Sequence, residues 1–72
     1  MKKGSEENYT VYIEETGDYT YVGKTARGQT DTSAALWQIM RVDFTSGALV
    51  EWADGSDKFE KVWDDRAGYT FK

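Results

Sequence analysis

From Trp52 to Arg66 the chain reads WADGSDKFEKVWDDR, with Asp54, Asp57, Glu60, Asp64 and Asp65 gathered around two tryptophans. Three kinds of chemistry use such residues: carboxylates hold a divalent metal, paired carboxyls trade protons, and indole rings stack on a sugar. A calcium loop needs acids at positions 1, 3 and 5, glycine at 6 and glutamate at 12. Counted from Asp54, position 3 is Ser56, position 5 is Lys58 and position 6 is Phe59, so the spacing fails and no metal site is assigned. General-acid work needs a carboxyl buried so that its pKa rises, whereas a turn, a helix cap and a helix end leave these acids in water. The chain has no histidine and no cysteine, so neither a Ser-His pair nor a thiolate nucleophile can be assembled. No catalytic residue and no cofactor is expected, and the chain reads as a non-enzyme. A sugar platform made from Trp52, Trp63, Tyr19 or Tyr21 is weighed against the need of so small a domain to bury its tryptophans.

The same stretch has a structural reading. Asp54-Gly55 is a turn dipeptide, and Asp57 stands three residues before Glu60, the spacing of a capping box. Phe59, Val62, Trp63 and Arg66 then fall on one face of a short helix, with Asp57 and Lys61 at the favourable acid-first spacing on its surface. Ala67-Gly68 stops the helix and Tyr69-Thr70-Phe71 forms a closing strand. A helix of about eight residues does not hold by itself in water. Phe59 and Trp63 must pin it to the core as a lid. Arg66 suits the C-terminal end of that helix; it is expected to pair with a turn aspartate such as Asp54, or to bridge to a partner chain.

Upstream, the periodicity is two. Tyr9, Val11 and Ile13 alternate with Thr10, Tyr12 and Glu14 as in a half-buried strand. A turn at Glu15-Thr16-Gly17-Asp18 leads to a returning strand, Tyr19-Thr20-Tyr21-Val22. Gly23 to Ser33 is polar and reads as a long loop. Its GKT is not a phosphate-binding loop, because the glycine required five positions before Gly23 is Asp18. Residues 34–44 contain good helix formers behind Thr32 or Ser33. Against a helix, Leu36, Met40, Val42 and Phe44 share one period-two face, with Trp37 and Ile39 on the other. A tight Thr45-Ser46-Gly47 turn follows, then an apolar run from Ala48 to Ala53, which is a hairpin pattern. Strand is the favoured reading and helix the alternative. Two apolar faces imply a central strand.

Seventy-two residues make one domain, of a size that buries roughly 60% of its unfolded surface. With no disulfide to help, three tryptophans, five tyrosines and three phenylalanines are the substitute staple. The predicted fold is mainly β: a small antiparallel domain, residues 9–72, either a five-stranded SH3-like barrel or a curled sheet, with one short helix before the last strand. Trp37, Ile39, Trp52, Phe59, Val62, Trp63 and Tyr69 are the predicted core. Residues 1–8 read as a flexible polar arm. Thirteen acids against nine bases give a net charge of −4, which repels phosphate backbones and disfavours nucleic acid as a partner. No apolar run approaches the roughly 18 residues of a membrane span, and no apolar stretch follows the basic start as in a signal peptide. The protein is therefore expected to act where it is made or within a larger particle.

The runs SAALWQIMRVD, SGALVEWADGSDKF and VWDDRAGYTF resemble a family of short proteins of tailed bacteriophages and prophages. In that family a W-x-I strand leads through a Gly turn to WADG, then F-x-x-V/I-W-D-x-R and a closing aromatic strand. The matching positions are Trp37 and Ile39, Trp52 to Gly55, Phe59, Val62 to Asp64, Arg66 and Tyr69, and YVGKTARGQTDTSAA is similar to the family's lead-in. The likeness covers residues 19–71. It implies a phage origin and a virion-associated, non-enzymatic structural or accessory role, binding head or tail proteins, with virion or host cytoplasm as its location. The alternatives are an adaptor or inhibitor of a host protein, or a small carbohydrate- or nucleic-acid-binding module; a homo-oligomer is a further expectation. The residues expected at a partner are Lys24 and Arg27 on the long loop, Tyr19 and Tyr21 as surface aromatics, and Arg66.

Overall fold

Alternation of β-branched and aromatic residues with polar ones carries through into strands. The computed structural model describes residues 8–72 in full and the backbone of Lys2–Glu6; Met1, Glu7 and the side chains of residues 2–6 lie outside the described residues. Strands β1 (Lys2–Glu6), β2 (Tyr9–Thr16), β3 (Tyr19–Ala26), β4 (Ala35–Asp43) and β5 (Leu49–Trp52) form an antiparallel sheet in that order. A two-residue strand, β6 (Lys61–Val62), pairs with the start of β4. The sheet is not closed into a barrel, so the SH3-like closure is the one of the two predicted architectures that does not form. The predicted arm, residues 1–8, falls largely on residues outside the description; its backbone from Lys2 to Glu6 pairs antiparallel with β2.

Residues 34–44 settle as a strand. Ala35–Asp43 is β4, an internal strand paired with β3, β5 and β6, the kind of position that two apolar faces imply. Gly17, at φ 57, opens the two-residue turn between β2 and β3, a conformation glycine adopts without strain. The predicted loop from Gly23 begins later, because β3 runs on to Ala26.

Gly23 has a specific task. A Cβ there would lie 2.3 Å from Cε3 of Trp63, so the bare backbone is what lets the indole lie against β3. Trp63 begins a 3-10 helix, Trp63–Gly68, and its ring meets Trp37 at 5.9 Å and Tyr12 at 6.1 Å between centroids. Trp37, Ile39 and Trp63 are 0% exposed. The lid therefore exists and its indole faces inward.

Its extent differs from the prediction. Residues 57–60 are not helical, Asp57 caps nothing, and the 3-10 helix has no side-chain cap. So short a helix gains little from propensity; Lys61 and Val62 instead take backbone pairing beside Trp37 and Ala35 on β4. Phe59 consequently falls outside the core and is 41% exposed, while Trp52, Val62 and Tyr69 are half-buried. Tyr21, Ala53 and Phe71 complete the core. The closing strand expected at residues 69–71 is reduced to a single bridge between Phe71 and Ala53, so the helix follows the last strand instead of preceding one; the tail still meets β5, where Trp52 and Lys72 exchange backbone hydrogen bonds of 3.2 Å, and Asp54 N donates to Thr70 O at 2.7 Å. Asp54 and Gly55, at φ 55 and 71, make the tight turn between these segments, which the Asp-Gly dipeptide favours.

Candidate functional site

Two arginines, Arg66 in the lid and Arg41 on β4, serve the fold. Arg66 Nε and Nη2 donate to both carboxylate oxygens of Glu14 on β2, at 2.8 and 2.9 Å, and Nη1 donates to Trp63 O at 3.0 Å. Its guanidinium also lies 4.6 Å from the centroid of Trp63. The predicted ion pair is thus formed with Glu14 rather than Asp54, and it clamps the lid to the sheet. That bidentate hydrogen bonding holds the Glu14 carboxyl below its ordinary range and raises Arg66. Arg41 makes a second such cluster: Nη2 donates to Glu51 at 2.8 Å, and the group stacks between Tyr19 and Phe71 at 4.4 and 4.6 Å.

The tyrosines expected at the surface are drawn in. Tyr21 is buried, packed 5.7 Å from Phe71, and Tyr19 is half-buried against the same cluster. With Trp63 also buried, the four rings named for a sugar platform do not form one. A 72-residue domain spends aromatic area on its core first. Asp54, Asp57, Asp64 and Asp65 are exposed, and no group of three metal-binding side chains occurs among the described residues.

The large apolar side chains that remain exposed among the described residues fall near the two ends of β4. At one end Tyr9 is 38% exposed and Leu36 49%, and Tyr9 stacks on Phe59 with centroids 5.8 Å apart and planes at 12°. With Thr25, Ala26 and Gln29 these three line a shallow groove of about 280 Å³. Thr25 is buried and its hydroxyl donates to Leu36 O at 2.7 Å, so its polar group is satisfied within the domain. Lys24 lies over the Tyr9 ring, 5.0 Å from its centroid, and exposed Arg27 stands on the adjoining loop.

That loop is anchored. Gly28 N donates to Thr10 Oγ1 at 3.1 Å, Trp37 Nε1 to Asp31 O at 3.1 Å, and Asp64 N to Thr32 O at 3.0 Å. Asp31 accepts from Ser33 N and Oγ at 3.0 and 2.6 Å, bonds that hold its carboxyl below the ordinary range. A surface fixed in this way loses little conformational entropy on docking. At the other end Phe44, Leu49 and Val50 are 53%, 57% and 52% exposed around the β4–β5 turn.

Of the residues expected at a partner, then, Lys24 and Arg27 stand by the groove, while Tyr19, Tyr21 and Arg66 belong to the core and the lid. Sequence reasoning missed Tyr9, Leu36 and Phe59 as a group. The second apolar face of β4 was the visible signal for Leu36, whereas Tyr9 and Phe59 meet only once the chain has folded. No family model matches the chain, nor does any curated protein or solved structure. No helix among the described residues is long and apolar enough to cross a membrane.

Proposed function

We propose that the chain is a non-enzymatic structural or accessory protein of a phage particle, and that it docks other virion proteins at the groove of Tyr9, Leu36 and Phe59. The carrying observation is the exposure of three large apolar side chains around a concave surface whose bordering loop is already fixed. Large apolar residues grouped in this way mark interaction surfaces more often than solvated ones. The exposed aspartates lack the burial that general-acid work requires, and the ordered arginines are committed to Glu14 and Glu51. The residues carrying the phage resemblance have roles in the fold: Trp37 and Ile39 in the core, Asp54-Gly55 in a turn, Trp63 and Arg66 in the lid. The resemblance accordingly supports a setting and an architecture, and of its matching positions Phe59 alone lines the groove.

Mass spectrometry of purified, washed particles tests this. The wild-type chain is expected in the particles, and a Phe59→Asp chain that still melts cooperatively is expected to be lost from them. A chain abundant in lysate but absent from washed particles would move the reading to an adaptor or inhibitor of a host protein.

A further inference from the structure

The outer edge of β5 carries unpaired backbone, and we propose that it pairs with the same edge of a second copy, antiparallel and two-fold about Leu49. The direction of each main-chain group on β5 follows from the hydrogen bonds at its end. Trp52 exchanges both of its backbone bonds with Lys72, and Ala53 N donates to Ile39 O at 3.0 Å. Trp52 thus turns its main chain away from β4, and Ala53 turns toward it. Alternation along an antiparallel strand then aims Glu51 and Leu49 at β4 and Val50 outward. β5 ends the sheet, and among the described residues no backbone bond outside the strand ladders reaches Val50 or Ala48. N–H and C=O groups held at a sheet edge select extended backbone as their partner. Residues 70–72 already supply it at Trp52.

The edge is also unguarded. β1, at the other side of the sheet, reads KKGSE, and lysines are a usual protection of an edge. From Gly47 to Glu51 there is neither lysine nor proline, and Leu49 and Val50 are 57% and 52% exposed there. Three features select a second copy. The turn at Gly47 and the backbone of Lys72 bound the open edge, and Leu49 is its midpoint, so a two-fold about Leu49 fills both edges without meeting either obstacle. Val50 of each copy then exchanges backbone bonds with Ala48 of the other, while Glu51 falls beside Gly47, which has no side chain to clash. A two-fold contact also needs one patch to carry both a projection and a recess. Leu49 stands on the rim of a hollow of about 280 Å³ lined by Asp43, Ser46, Gly47 and Ala48, and the two-fold lays Leu49 of each copy beside the hollow of the other. Charge does not oppose this arrangement. Glu51 of the two copies would stand about 13 Å apart and Asp43 about 14 Å, both beyond the roughly 8 Å screening length of physiological salt. Glu51 is moreover paired with Arg41, and Asp43 accepts from Thr45 N. The edge lies beside Met40–Asp43, away from the groove at Leu36, so neither reading stands or falls with the other. Residues 47–51 make a small contact, and the dimer accordingly forms at high concentration.

The test is sedimentation velocity over a concentration series, with amide hydrogen exchange read residue by residue. Wild type is expected to pass from monomer to dimer as concentration rises and to stop there. Exchange at the Val50 amide should slow in step, while the Leu49 and Glu51 amides, aimed at β4, should hold steady. Val50→Pro removes an N–H that the folded monomer does not use, so it should melt cooperatively and stay monomeric. Leu49→Lys and Leu49→Glu should each stay monomeric too, because like charges would face each other across the two-fold. Mixed in equal amounts, those two should pair one to one. If Val50→Pro melts early, the two Leu49 variants and their mixture carry the test. A wild type that is monomeric at its highest soluble concentration overturns the proposal. So does growth past the dimer, a dimer of well-folded Val50→Pro, or a mixture that fails to pair. A monomeric chain whose Val50 amide is protected only inside the particle would give the edge to a strand of another virion protein, and would equally remove the second copy.

Discussion

Trp37, Trp63 and Tyr12 meet on one face of the sheet, and Tyr9 and Phe59 meet at its end; both clusters are made of aromatic rings 5 to 6 Å apart. The first is sealed and the second is open. On the sealed face the chain returns after β6 and lays Trp63 over bare backbone at Gly23, with Arg66 tied to Glu14 behind it. At the open end no segment among the described residues covers the pair, and Tyr9 is the aromatic neighbour of Phe59. Composition does not separate the two regions. A covering segment and a matching gap in side-chain volume do.

The largest effect expected is on the sealed side. Trp63→Ala should destabilise the domain by about 3 to 5 kcal/mol, enough to unfold so small a fold, as read by loss of cooperative melting. Gly23→Ala should cost about 1 to 3 kcal/mol, since the new methyl would overlap the Trp63 ring and crowd Cε3 of Trp37, 3.2 Å away; denaturant titration measures it. If Gly23→Ala proves neutral, the ring has room to move and the contrast between the two clusters is weaker than drawn.

Glu14→Gln sharpens the comparison through pH. The folded-state pKa of Glu14 lies below its ordinary 4.5. The pair therefore adds stability that is complete above that value and is lost as pH falls through the folded-state pKa. The variant should lose about 1 kcal/mol at neutral pH. Its melting curve should fall less steeply below about pH 4.5 and meet that of wild type in strong acid. Asp31 and Asp43, also held low by hydrogen bonds, keep a residual acid slope in both proteins. Smallest are changes on the open side. Asp57→Ala should shift stability by less than about 0.5 kcal/mol and Phe59→Asp by about 0.5 to 1 kcal/mol, the loss of its stacking on Tyr9; only the second should abolish docking in the particle assay. A loss of about 1 kcal/mol for Asp57→Ala would mean that it caps a helix after all.

The sequence makes the sealed side legible and the open side much less so. Two-sided apolar alternation placed β4 at the centre, and the need to bury indoles turned Trp63 inward. The Phe59–Arg66 stripe misled because residues three and four apart satisfied a helical pattern that sheet pairing at Lys61 and Val62 then displaced. Arg66 was recognisable as a structural ion-pair residue, but its partner lies on β2, at the far end of the domain's sequence. The groove is unreadable for the same reason: Tyr9 and Phe59 carry no local sign that they stack.

The return of residues 63–71 over the sheet makes the domain intolerant of truncation there. A chain cut after Val62 would keep the strands but leave Trp37 and Ile39, 0% exposed in the intact domain, greasy, wet and open to proteases.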